Sequence, residues 1–184
     1  MRTFVAAPCP PEQPLGAALL SELAPRQWRL VPGERRHITL RFLGEVPDVR
    51  VPELVELLAP LGMHAAFRLT VQGCGAFPDA RRPEVLWLGC GAGREALAAL
   101  AQAVGDALGL HPEGRPFRGH VTVARRRAGT APAEAAAALA QQLPRWRATD
   151  WGAFMVDRVQ LLASELRPDG PRYTPLATVP LLVR

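Results

Sequence analysis

Hydrophobic positions along this chain follow two periods. An apolar/polar alternation marks strands in residues 2–7 (RTFVAA), 36–43 (RHITLRFL), 67–75 (FRLTVQGCG), 84–91 (EVLWLGCG) and 120–125 (HVTVAR). It returns toward the end, in residues 154–166 (FMVDRVQLLASEL) and 173–183 (YTPLATVPLLV), with RPDGPR as the turn between them. A helical period places Leu15, Ala18, Leu19 and Leu23 on one face of residues 11–23, and Pro25 ends that run. Further helices are predicted in residues 52–62, where the leading proline is tolerated at a first turn, in residues 94–110, and in the alanine-rich residues 131–143. The turn-rich AFPDARRP joins two of the strands. Strands and helices mix without strict βαβ order, so the pattern predicts an α+β fold with antiparallel sheets.

Composition narrows this picture. A chain of 184 residues, 48% hydrophobic, suffices for one compact domain or two small lobes sharing a core. It shows no long uncharged apolar run, and its first residues lack the apolar stretch of a secretory signal. Cys9, Cys74 and Cys90 are odd in number and have no CxxC spacing, so neither a disulfide framework nor a zinc knuckle is indicated, and the cytoplasm is the expected compartment. All 22 basic residues are arginine. Without lysine there can be no Schiff base, no lysyl-adenylate intermediate and no P-loop lysine, so any anion must be held by arginine or backbone amides. The net charge of +5 is compatible with a polyanionic partner.

The candidate chemistry lies in two tetrapeptides. His37-Ile38-Thr39-Leu40 and His120-Val121-Thr122-Val123 share one order of residue types but lie far apart in the chain. Alternation puts His37 beside Thr39, and His120 beside Thr122, each pair on one face of an apolar-backed strand. Two such strands facing each other would offer two imidazoles that titrate near neutrality and two hydroxyl donors. That set fits in-line displacement at phosphorus, with one imidazole taking a proton and the other delivering one while hydroxyls and an arginine bind the phosphate oxygens. Arg35, Arg36 and Arg41 surround the first histidine, and Arg115, Arg118 and Arg125 the second. Arg41 is in phase with His37 and Thr39 and could line the cleft; a solvated strand charge fits it equally well. Phe42 and Tyr173 could stack on a base, although core packing suits Phe42 better. Trp87 reads as core, and His64 and His111 as surface.

The pair HITL and HVTV resembles the two-histidine (2H) phosphoesterase superfamily. With RTFVAA, HITLRFLGEV, RRPEVLWLG, RPFRGHVTVAR and PRYTPL, the chain is similar over nearly its whole length to the bacterial RNA 2′,3′-cyclic phosphodiesterases, also known as 2′-5′ RNA ligases. The resemblance implies one domain over residues 1–184, made of two pseudo-symmetric lobes, each an antiparallel sheet with outer helices, and an active-site cleft between them. It implies metal- and cofactor-free hydrolysis of RNA 2′,3′-cyclic phosphate ends, or of cyclic nucleotides, to 2′-phosphates. It also implies ligation, joining a cyclic phosphate to a 5′-hydroxyl through a 2′-5′ bond, in a monomeric enzyme with no membrane partner. His37 and His120 carry over as catalytic residues, with His120 as base and His37 as acid; Thr39, Thr122 and Arg125 carry over as substrate-binding residues. Strict alternation puts Arg125 opposite His120, so its role needs a twist or bulge. Gly119 stands where the family commonly has proline. A metal-dependent phosphoesterase and a non-catalytic RNA-binding module are the alternatives; the first would recruit carboxylates near the histidines, and none lies within two residues of either.

Overall fold

The computed structural model describes residues 1–111, 114, 116–140, 142–167 and 170–183, so Arg115 and part of the RPDGPR turn lie outside the described residues. In chain order the elements are β1 (Arg2–Pro8), α1 (Ala17–Ser21), β2 (Trp28–Leu30), β3 (His37–Glu45), α2 (Val51–Leu58), β4 (Phe67–Phe77), β5 (Val85–Cys90), α3 (Arg94–Ala107), β6 (His120–Arg126), α4 (Pro132–Ala140), α5 (Leu143–Trp146), β7 (Asp150–Val156), β8 (Arg158–Arg167) and β9 (Gly170–Pro180). The strands form two sheets, ordered β3-β1-β8-β9 and β2-β6-β5-β4-β7, with antiparallel neighbours throughout. The expected α+β architecture with two antiparallel sheets is therefore present.

Both sheets contribute to one hydrophobic cluster. Val5, Ile38 and Leu161 of the first sheet join Leu69, Leu86 and Val121 of the second. Helix α3 adds Leu97, Leu100, Ala101 and Val104, a stripe at helical spacing, and it touches β3 of one sheet and β4 of the other. The opposite face of the first sheet carries a small separate cluster of Phe4, Ala6 and Leu162 with Tyr173 against it. Among the described residues no helix is long and apolar enough to cross a membrane.

Two elements differ from expectation. The helical spacing of Leu15, Leu19 and Leu23 did mark buried positions, but the helix itself is only Ala17–Ser21. Gly16 sits before it with φ 73°, a left-handed turn that a helix cannot run through. Strand β2 has too few residues to show a period, yet Trp28 within it is 1% exposed and its neighbours Arg29 and Leu30 reach the cleft.

Candidate active site

The two motif strands lie in different sheets and touch each other. A cleft of about 700 Å³ opens between the sheets, and His37, Thr39, His120, Thr122, Arg125 and Tyr173 all line it. Residues separated by more than eighty positions are thus brought to one concave surface.

Each imidazole is held the same way. His37 Nδ1 lies 2.9 Å from the carbonyl oxygen of Arg35, and His120 Nδ1 lies 2.8 Å from that of Arg118. A carbonyl only accepts, so Nδ1 donates in both, and Nε2 is left as the nitrogen that exchanges protons with a ligand. Aromatic rings wall in the two side chains. Phe4 and Tyr173 each sit 5.0 Å from the His37 ring, the tyrosine at 90°, while Phe77 at 5.0 Å and Trp87 at 6.3 Å flank His120. Burial pushes His37 down to about 4, helped by the positive Arg125 and by His120 and opposed by its backbone hydrogen bond. Burial likewise lowers His120, with Arg125 adding to the effect and the Arg118 carbonyl opposing it.

Phase along the two strands decides which other residues join. In β6, Thr122 faces Trp87 of β5, whereas Ala124 faces the very next residue, Leu86, so two steps on one strand match one on the other. This β-bulge places Val123 and Ala124 both on the buried side and returns Arg125 to the face of His120 and Thr122. The twist that Arg125 required is there. Arg125 shares the cleft with Tyr173 of the other sheet; burial lifts that hydroxyl above the ordinary tyrosine value, and the positive guanidinium opposes the rise.

A second bulge follows the first motif. Thr39 pairs with Ala6 and Arg41 with the adjacent Val5, which sends Leu40 and Arg41 to the same side. Arg41 therefore does not line the cleft; its guanidinium donates to the carbonyl of His111. In-phase alternation predicted the opposite, because it counted no extra residue. The same bulge turns Phe42 outward, 66% exposed on the cleft wall, so core packing does not hold for it. Trp87 is also no core residue. It is half-buried behind His120, its ring lying over Gly75, where a Cβ would come within 2.3 Å of it. His64 and His111 are exposed, as expected.

Of the other arginines near the motifs, Arg35 lines the cleft, while Arg36 is spent on the carbonyls of Val31 and Leu15. Sequence reasoning did not find Arg2 and Arg29, which also line it. Arg29 sits on the short β2, and Arg2 at the first position of β1. At Gly119, the position of the family's proline, a Cβ would meet Leu97 Cδ2 at 2.5 Å.

Paired His-x-Thr strands meeting in the cleft of a two-sheet α+β fold define a two-histidine phosphoesterase. The chain belongs to the 2′-5′ RNA ligase superfamily, whose family model matches residues 11–167. It is 35% identical, over 82% of its length and 85% of the relative's, to a protein of Aeropyrum pernix named RNA 2′,3′-cyclic phosphodiesterase. A Thermus thermophilus protein of the same name is 34% identical, with 96% of this chain and 88% of the relative covered. Among solved structures, Escherichia coli LigT complexed with 3′-AMP superposes with a TM-score of 0.73 at 28% identity, covering 98% and 97% of the two chains.

Proposed function

We propose that the protein hydrolyses RNA 2′,3′-cyclic phosphate ends, or cyclic nucleotides, to 2′-phosphates, with His37 and His120 as the acid–base pair. The observation that carries this reading is the matched setting of the two imidazoles: each is anchored through Nδ1 to the carbonyl two residues back and lines the same cleft as a threonine and Arg125. In-line attack needs a proton removed on one side of phosphorus and supplied on the other. His120 takes the proton of water as its oxygen bonds to phosphorus. The bond from phosphorus to O3′ then breaks, and His37 gives that oxygen a proton. Thr39, Thr122 and Arg125 bind the phosphate oxygens, where negative charge is greatest in the transition state. Ligation would run the same steps in the same direction, with a ribose 5′-hydroxyl in place of water as the nucleophile and a 2′-5′ phosphodiester as the product.

Both imidazoles are held below their ordinary value, so the phosphate anion has an electrostatic task. By compensating Arg125 it raises His37 toward the protonated form that an acid requires. The metal-dependent alternative would need further ligands beside the imidazoles; among the described residues no group of three His, Cys, Asp or Glu comes together. We place the protein in the cytoplasm, acting as a monomer with residues 1–184 as one domain; the core cluster that both sheets share supports the one-domain reading. The test is hydrolysis of a 2′,3′-cyclic nucleotide in the presence of EDTA, with the product's phosphate position determined. A 2′-phosphate formed at an unchanged rate is expected. Loss of turnover that manganese or zinc restores would move the reading to the metal-dependent class, and RNA binding without turnover to the binding module.

A further inference from the structure

The bulge after each motif makes Phe42 and Arg125 counterparts. Each lies three residues beyond its threonine, and each is returned to the cleft by one extra residue in its strand. The two related positions thus hold a flat apolar ring on the His37 side and a guanidinium on the His120 side. Tyr173 is already committed, edge-on to His37 and to Phe4. Phe42, by contrast, is 66% exposed on a concave wall, at 6.1 Å from Phe4.

The first sheet continues past it. His37 is level with Pro8 and Phe42 with Phe4, four strand residues or about 13 Å further along. Two residues beyond, the exposed Arg2 stands beside Ser164, and both line the cleft with the exposed Leu166. Among the described residues, no Asp or Glu lines this cleft. From the histidines outward, the wall presents a proton donor, a ring for stacking, then a cation with a hydroxyl. A nucleotide chain presents the same order: a terminal phosphate, a base, and the next phosphate.

Resting on the phosphodiesterase reading above, we infer that the first sheet is an extended single-strand subsite. Phe42 stacks on the terminal base, and Arg2 with Ser164 binds the phosphate on its 5′ side. The preferred substrate is then an oligonucleotide end rather than a cyclic mononucleotide, and the strand leaves the site over β1 and β3. The terminal ribose falls on the His37 side, which puts O3′ next to the proposed acid.

The experiment compares adenosine 2′,3′-cyclic phosphate with the dinucleotide ApA ending in a 2′,3′-cyclic phosphate, for the unaltered protein and for Phe42→Ala, Phe42→Trp and Arg2→Gln. Calorimetric binding of ApA ending in a 2′-phosphate is measured alongside, because it needs no turnover. The unaltered protein should favour the dinucleotide roughly tenfold in kcat/KM. Phe42→Ala should raise KM for both substrates by about tenfold or more, the loss of one stacked base, and Phe42→Trp should restore it. Arg2→Gln should shrink the dinucleotide preference and lower the salt dependence of binding. Equal kcat/KM for the two substrates, or a KM indifferent to Phe42→Ala, overturns the inference while leaving the hydrolase reading standing. If neither substrate is hydrolysed but the dinucleotide still binds through Phe42 and Arg2, the hydrolase reading falls and the subsite stands.

Discussion

The lowered histidines set a pH signature for the reaction. In the proposed mechanism the pair reacts while sharing one proton, and kcat/KM reports the free enzyme. With His37 near 4 and His120 also below its ordinary value, the kcat/KM profile should be bell-shaped with its maximum below pH 6.5. The kcat profile should lie higher, because the bound anion favours the protonated imidazole; coincident profiles would count against that coupling. Stability follows the same groups. A histidine whose pKa is lowered on folding binds fewer protons in the native state, so stability is full above the unfolded value of about 6.5 and falls as the pH drops toward 4. His37→Gln should flatten that slope in urea titrations between pH 4 and 6.5. The arginines make a sharper contrast. Arg125→Ala should lower kcat on the order of a hundredfold or more, whereas Arg41→Ala, facing His111 on the other side of its strand, should stay within about twofold. Equal losses would mean that the bulges do not select between them.

At the scale of the element, a strand is useful here because it departs from regularity. Two bulges convert the alternating HITLRF and HVTVAR into surfaces where His, Thr and a third residue share a face. Neighbouring strands set the rest. Trp87 on β5 backs His120, and it fits because Gly75 on β4 leaves the place of a side chain empty. Gly75→Ala would put a methyl group into the indole and displace it. The expected result is a fall in kcat of roughly tenfold with a change in tryptophan fluorescence, since overpacking shifts its neighbours before it unfolds them. Unchanged kinetics in a folded variant would show that the Trp87 contact does not position His120. The strands and the longer helices were legible because their periods extend over many residues. Strand β2 and helix α5 were not, being three and four residues long.

For the whole molecule, the shared core implies that the sheets unfold together. Calorimetric and van't Hoff enthalpies should agree in a single transition, and a nucleoside 2′-phosphate bridging both lobes should raise its midpoint. Two separated transitions would contradict one domain. By itself the sequence determined the candidate reacting groups, the α+β class, and the family that HITL and HVTV with their flanks resemble. These rest on residue identity and short-range period, which a single chain carries openly. Tertiary structure alone decided that the two strands meet, that Arg125 and Phe42 enter the cleft while Arg41 leaves it, that Trp87 packs beside His120, and that Arg2 and Arg29 join the cleft. A bulge exists only in the register between two strands, and a cleft only between two sheets, so neither can be read from the alternation of one segment.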